Sequence, residues 1–275
     1  MDIGRGINSY FDALAGTRAP LRDPGAWMPF VIFGFVQGVI LLAMAMFTTP
    51  WLSPVMVPVM RFLGGENALH YPLHLVGLPA AYQRVYLPLV ASVGFSLWTR
   101  AVWKLVDLHT PGAVRPHRRL GPLLPHVVVI GALFVGTSVL VSGLASNLVN
   151  PRTPAMVARG IALASVVLVA TVQTFLVYAP VALRLRGTNA WDALCSGARY
   201  TRRNFMATAL LIITVLMLHL PLDFLLSRAD RVAARFSPET ILQLMMGSVT
   251  LEVITAYILF AGVTELALPR DGGRS

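Results

Sequence analysis

Six stretches of this chain run for about twenty residues with almost no charged side chain, and few environments other than a bilayer accept them. Crossing about 30 Å of hydrocarbon at about 1.5 Å per helical residue takes about 20 apolar residues. The six spans expected on this count are about 27–47, 85–106, 123–144, 160–183, 204–225 and 241–264. The first, third and fourth carry no charge. The fifth meets Asp223 only near its far end, and the sixth is interrupted by Glu252 alone. The second holds Arg100 and Lys104 toward one end, from where long side chains snorkel to the headgroups.

Composition removes the soluble alternatives. With 12% charged residues, 56% hydrophobic residues and a mean hydropathy of +0.70, the chain has too few charges to coat a water-soluble globule of its size. Cys195 is the single cysteine, so no internal disulfide holds the fold. The expected class is all-α: a polytopic membrane protein of six transmembrane helices with amphipathic helices at its surface. A cleaved signal peptide does not suit 27–47, which is longer than a signal core and follows a leader balanced between three Arg and three Asp.

The cations set the expected orientation. Of 22, only Lys104 is lysine, a usage typical of GC-rich bacterial genomes. Across six spans, fifteen fall on one side: Arg5, Arg18, Arg22, Arg100, Lys104, Arg115, Arg118, Arg119, Arg184, Arg186, Arg199, Arg202, Arg203, Arg270 and Arg274. Arg61, Arg84, Arg152, Arg159, Arg228, Arg231 and Arg235 face the other way. The excess puts the first side, and both termini, in the cytoplasm of a bacterial inner membrane, with a cytoplasmic leader over 1–26 and a cytoplasmic tail over 268–275. The net charge of +10 is scattered beside apolar runs rather than gathered in one domain, so anionic lipid headgroups and not nucleic acid are the expected partner. Arg115, Arg118, Arg119, Arg199, Arg202 and Arg203 are the expected headgroup contacts.

Two segments on that side have helical apolar spacing. Ile7, Tyr10, Phe11 and Leu14, and likewise Trp191, Leu194, Cys195 and Ala198, place one apolar face each on the membrane. Ser9 with Asp12 and Asn189 with Asp192 have the spacing of an N-cap and an acidic third position. Asp12, Asp107 and Asp192 stand in similar short patterns with a Gly and an Arg following, so the chain is either three tandem two-helix hairpins or a chance coincidence of short patterns. On the other side, Thr48 to Arg84 is too apolar for a free loop and is expected as a re-entrant or surface-lying hairpin.

Ionisable groups at membrane depth are the candidates for chemistry. Glu252 sits near the middle of the sixth run, and His219 and Asp223 lie one turn apart on the fifth. Two readings fit this trio. In one it forms a proton or cation pathway. In the other Glu252 hydrogen-bonds Thr214, Gln173 or a backbone carbonyl as interhelical glue, and Asp223 marks the water boundary. His70 and His74 flank Pro72, which works against a paired metal site, and no metal or cofactor is expected. Gly34 and Gly38 allow close helix approach, within the chain or between copies. No phosphate-binding lysine loop, Gly-x-Ser-x-Gly or Cys-x-x-Cys is present to suggest an enzyme, and lipid chemistry within the membrane is a remote third reading.

The stretch NAWDALCSGARYTRRNF, residues 189–205, leading into an apolar helix, resembles the membrane domain found beside some glycerophosphodiester phosphodiesterases and its six-helix bacterial relatives. The likeness covers about 187–211. It implies an integral membrane module without catalytic residues of its own. The expected role is therefore a membrane scaffold or an accessory subunit of another membrane protein complex, with a small proton- or cation-coupled transporter or channel at Glu252, His219 and Asp223 as the alternative.

Overall fold

The computed structural model describes residues 3–110, 121–149, 153–186 and 189–268, and within these every element is helical. The helices are α1 (Ile3–Gly16), α2 (Pro24–Ala45), α3 (Ser53–Gly64), α4 (Leu73–Leu89), α5 (Phe95–His109), α6 (Leu124–Leu148), α7 (Ala155–Leu176), α8 (Ala179–Arg186), α9 (Ala190–Leu226), α10 (Ala229–Arg235) and α11 (Glu239–Ala267). A π turn over Val90–Gly94 joins α4 to α5. Six of the helical segments are long and apolar enough to cross a bilayer. The protein is an all-α, multi-pass membrane protein, and it divides into two compact units.

One unit comprises residues 1–29, 90–214 and 257–275. Its buried side chains include Phe95, Trp98, Val102 and Leu105 of α5 and Val181 to Leu183 of α8. Gly131 lets α6 lie against the π turn, because a Cβ there would collide with the Ala91 carbonyl. Arg184 of α8 forks onto Asp107 of α5, with Nη2 2.7 Å from Oδ2 and Nε 3.0 Å from Oδ1, and its guanidinium lies 5.0 Å over the Trp103 ring. His109 Nε2 is 2.6 Å from Glu265 Oε1.

The expected cap at Asn189 is present: its Oδ1 accepts the Asp192 N–H at 2.9 Å. The expected cap at Ser9 is not, because α1 already begins at Ile3 and Ser9 lies inside it. The amphipathic stretch after Asn189 runs into the fifth span and breaks only at Asn204, whose φ of −118° and ψ of 23° leave the helical region. Asn204 Nδ2 donates to the Leu266 carbonyl at 2.8 Å, which fixes the break. Ile7 and Phe11 on α1 and Trp191 on α9 are exposed, while Tyr10 of the same α1 face lies with its Oη 2.9 Å from Thr214 Oγ1 in the fifth apolar run. The three patterned aspartates do different things. Asp12 and Asp192 are exposed, whereas Asp107 pairs with Arg184.

Lys104 Nζ lies 3.0 Å from Asp23 Oδ2. Its hydrogen bond, helped by the Gly25 N–H, holds the Asp23 carboxyl below the usual carboxylate range. A folded-state value below the unfolded one contributes stability above about pH 4 and loses it as pH falls through the folded value. Thermal denaturation in detergent from pH 5 down to pH 2 is therefore expected to show a shallower acid-side fall for Asp23→Asn than for the parent protein.

The second unit comprises residues 30–89 and 215–256. Its core gathers Leu41 and Met44 of α2, Met60 and Leu63 of α3, Leu75 and Leu78 of α4, Val232 of α10, and Ile241, Met245 and Val249 of α11. Residues 48–84 hold α3 and the first part of α4, which pack on each other across a short turn at Glu66–Leu69. α3 buries Met60 and Leu63 in that core, and the helix carrying the second apolar run starts at Leu73, twelve residues before the expected boundary. Pro79 and Pro88 sit inside it. Read along the chain, prolines end helices, but packed neighbours and local distortion let membrane helices contain them. Arg84, which reads as a loop residue, donates its guanidinium to the Leu63 carbonyl in the last turn of α3.

Candidate functional site

The second unit contains an open cleft of about 800 Å³. Its walls come from α2, α4, the end of α9, α10 and α11, and Glu252 lies on it. Glu252 stands thirteen residues into α11, about 20 Å along the helix axis from its start. Asp223 lies three residues from the end of α9 and Asp230 on α10, so the lining runs from mid-helix depth to the end that carries the 227–238 connection.

Four side chains on three helices hold the inner part together. Tyr86 Oη donates to Glu252 Oε1 at 2.9 Å, and Tyr82 Oη donates to Gln37 Oε1 at 2.8 Å. The two tyrosines are one turn apart on α4, with ring centroids 5.8 Å apart, and form an aromatic wall. Gln37 is fully buried in α2. Its amide lies close to the Glu252 carboxyl, yet Nε2 completes no hydrogen bond within the protein. Close approach of α2 to α11 makes this arrangement possible. Gly34, one turn before Gln37, faces Val253, and Gly38 faces Met246. The Gly-x-x-x-Gly pair thus serves packing within the chain.

The three ionisable residues singled out from sequence all line the cleft. They do not form one hydrogen-bonded cluster. His219 Nε2 meets Thr255 Oγ1 at 2.9 Å, on the turn of α11 after Glu252. Asp223 is exposed on the cleft wall, one turn from His219. Neither of the side-chain partners expected for Glu252 serves it. Thr214 Oγ1 lies 2.9 Å from Tyr10 Oη, and Gln173 Nε2 donates to Ser138 at 3.1 Å.

The residues that sequence reading missed are Tyr82, Tyr86 and Gln37. Gln37 left a signal, as the lone carboxamide in the first apolar run. The tyrosines left none, because they fall where the chain reads as loop or span edge.

The lining is acidic in a basic protein. Asp223, Asp230 and Glu252 contribute carboxyl groups, and no lysine or arginine is among the lining residues. Such a cleft favours cations and repels anions. Among the described residues no three His, Cys, Asp or Glu side chains gather closely enough to hold a metal ion.

Of the expected headgroup contacts, Arg199, Arg202 and Arg203 are exposed on the first part of α9. Arg199 and Arg202 flank a shallow groove with Phe175 and Phe205. Arg115, Arg118 and Arg119 lie outside the described residues. Comparison with known protein families, curated proteins and solved structures finds no match to this chain.

Proposed function

We propose that the protein is a small proton- or cation-coupled transporter or channel of the bacterial inner membrane, with both termini cytoplasmic and its cleft opening outward. The observation that carries this reading is a carboxylate at mid-helix depth, Glu252, on the wall of an open acidic cleft and hydrogen-bonded by Tyr86. An intramembrane carboxylate that served only to bind two helices together would be enclosed by them, whereas this one borders open volume. The orientation rests on the arginine excess flanking the spans at the side of both termini. The outward opening follows from it, because the cleft ends beside Ser227 and Asp230 on the arginine-poor side. Anionic lipid headgroups are the partners of the exposed arginines of α9.

Reconstitution into vesicles containing a pH-sensitive dye tests this. Under an imposed diffusion potential, the parent protein is expected to admit protons well above the rate of empty vesicles. Glu252→Gln is expected to lower that rate at least tenfold. Tyr86→Phe, which keeps the carboxyl but removes its donor, is expected to lower it about fivefold, the worth of one hydrogen bond near 1 kcal/mol. Flux equal to that of empty vesicles would overturn the reading in favour of a membrane scaffold or accessory subunit. That role would be recognised by stoichiometric co-purification of a membrane complex.

A further inference from the structure

The cleft also carries information about what it binds, which rests on the proposal that it is a cation site. We infer that its ligand carries a small organic cation: a protonated amine with an acceptor oxygen two carbons away, the pattern of an amino alcohol or its ester.

Size argues first. A volume of about 800 Å³ lies in the range of pockets for organic ligands and is far larger than a bare ion occupies. The carboxyl groups point the same way. A desolvated hard cation takes six or more oxygen ligands at 2.3–2.6 Å for calcium, or near-ideal octahedral geometry for magnesium. Asp223, Asp230 and Glu252 are instead distributed over α9, α10 and α11 along the length of the cleft. Spread carboxylates select positive charge without enclosing a point ion. The wall of Tyr82 and Tyr86 supplies what an ammonium group uses in their place, namely two aromatic rings beside the Glu252 carboxylate.

Gln37 adds the second half of the ligand. It is fully buried, it lines the cleft, its Oε1 accepts from the Tyr82 hydroxyl, and its Nε2 lies toward the Glu252 carboxyl without completing a hydrogen bond, so a ligand oxygen can accept from it. A buried donor without a partner is costly, and a ligand oxygen that accepts from it recovers that cost on binding. An oxygen next to the ammonium group meets Nε2 while the nitrogen faces Glu252, because the Gln37 amide and the Glu252 carboxyl lie close together. An ammonium with an acceptor oxygen two carbons away is present both in free ethanolamine, where that oxygen is a hydroxyl, and in the headgroup of ethanolamine phospholipid, where it is a phosphate-ester oxygen.

The test uses the full-length protein in phosphatidylglycerol nanodiscs at pH 7, titrated calorimetrically with ethanolamine, ethylamine and sodium chloride at constant ionic strength. Ethanolamine is expected to bind saturably, ethylamine about fivefold to tenfold more weakly, and sodium without measurable heat. Glu252→Gln is expected to weaken ethanolamine at least tenfold. Gln37→Leu is expected to erase the preference of ethanolamine over ethylamine, a readout that general loss of packing would not give. Nanodiscs containing phosphatidylethanolamine separate the two sources. Competition by the lipid assigns the headgroup, absence of competition assigns the free solute, and both support the amino-alcohol chemistry. Equal affinity for the two amines would overturn the role given to Gln37. Absence of heat with both amines, in protein that still conducts protons in vesicles, would overturn the inference and leave the transport reading standing. Loss of both would remove the two together.

Discussion

Asp107→Ala is expected to cost the fold about 3 kcal/mol, while Arg184→Met costs about 1, although Asp107 is the more exposed of the pair. The side chain of Arg184 is 8% exposed and that of Asp107 is 40% exposed. Removing a partner from an ion pair costs most when the charge left behind is the buried one. With Asp107 gone, the guanidinium loses its forked carboxylate and keeps the face of Trp103 at 5.0 Å, which offsets a fraction of its desolvation. With Arg184 replaced by an apolar chain of similar length, Asp107 is left where water reaches it. The partial exposure of Asp107 places the larger figure at the lower end of the range for buried pairs. Thermal unfolding in detergent checks the order of the two variants. In the double variant Arg184→Met with Asp107→Ala, most of the lost stability should return, since no uncompensated charge remains. Equal losses in the two single variants would mean that the pair contributes only surface electrostatics.

Gly34→Leu is expected to be the most damaging change in the second unit, abolishing monodisperse protein after extraction. Even a methyl group at this position would collide with the Val253 side chain. Valine is stiff at χ1, so the neighbour yields poorly and α2 must move away from α11. Overpacking of this kind costs typically about 1–3 kcal/mol for extra methylenes, and leucine adds more volume than one. Gly34→Ala is the graded test. Alone it should lower the unfolding temperature, and with Val253→Ala it should recover, because the space taken on one helix is returned on the other. The consequence reaches the cleft, since Gln37 lies one turn along from Gly34 and its separation from Glu252 depends on how closely the helices approach. Gly34→Ala should therefore weaken ethanolamine binding more than Gly38→Ala, where a Cβ would stand 3.4 Å from the flexible end of Met246.

The six crossings were legible because hydropathy is a property of consecutive residues. A run such as 123–144 must find lipid or protein whatever surrounds it, and the backbone can satisfy its own hydrogen bonds only as helix. Glu252, His219 and Asp223 were legible for a related reason: an ionisable group in an apolar run is conspicuous locally. The Asn189 cap acts over three residues and could be read as such, and the onset of the fifth apolar run at Asn204 falls at the break in α9. Where two local signals compete, the chain alone misleads. Pro79 and Arg84 read as loop residues, yet packing in the second unit and the Leu63 carbonyl carry α4 straight through them.

Partnerships belonged to the tertiary structure alone. Tyr86 and Glu252 are 166 residues apart, Tyr82 and Gln37 are 45 apart, and Arg184 and Asp107 are 77 apart. Nothing in the spacing along the chain selects one distant polar group over another, so Thr214 and Gln173 were equally plausible partners for Glu252 until both were seen engaged elsewhere. Hydropathy fixes how many times the chain crosses and leaves the rotation of each helix open. That rotation, set by close contacts such as Gly34 on Val253, turns isolated polar residues into a cleft with a chemical preference.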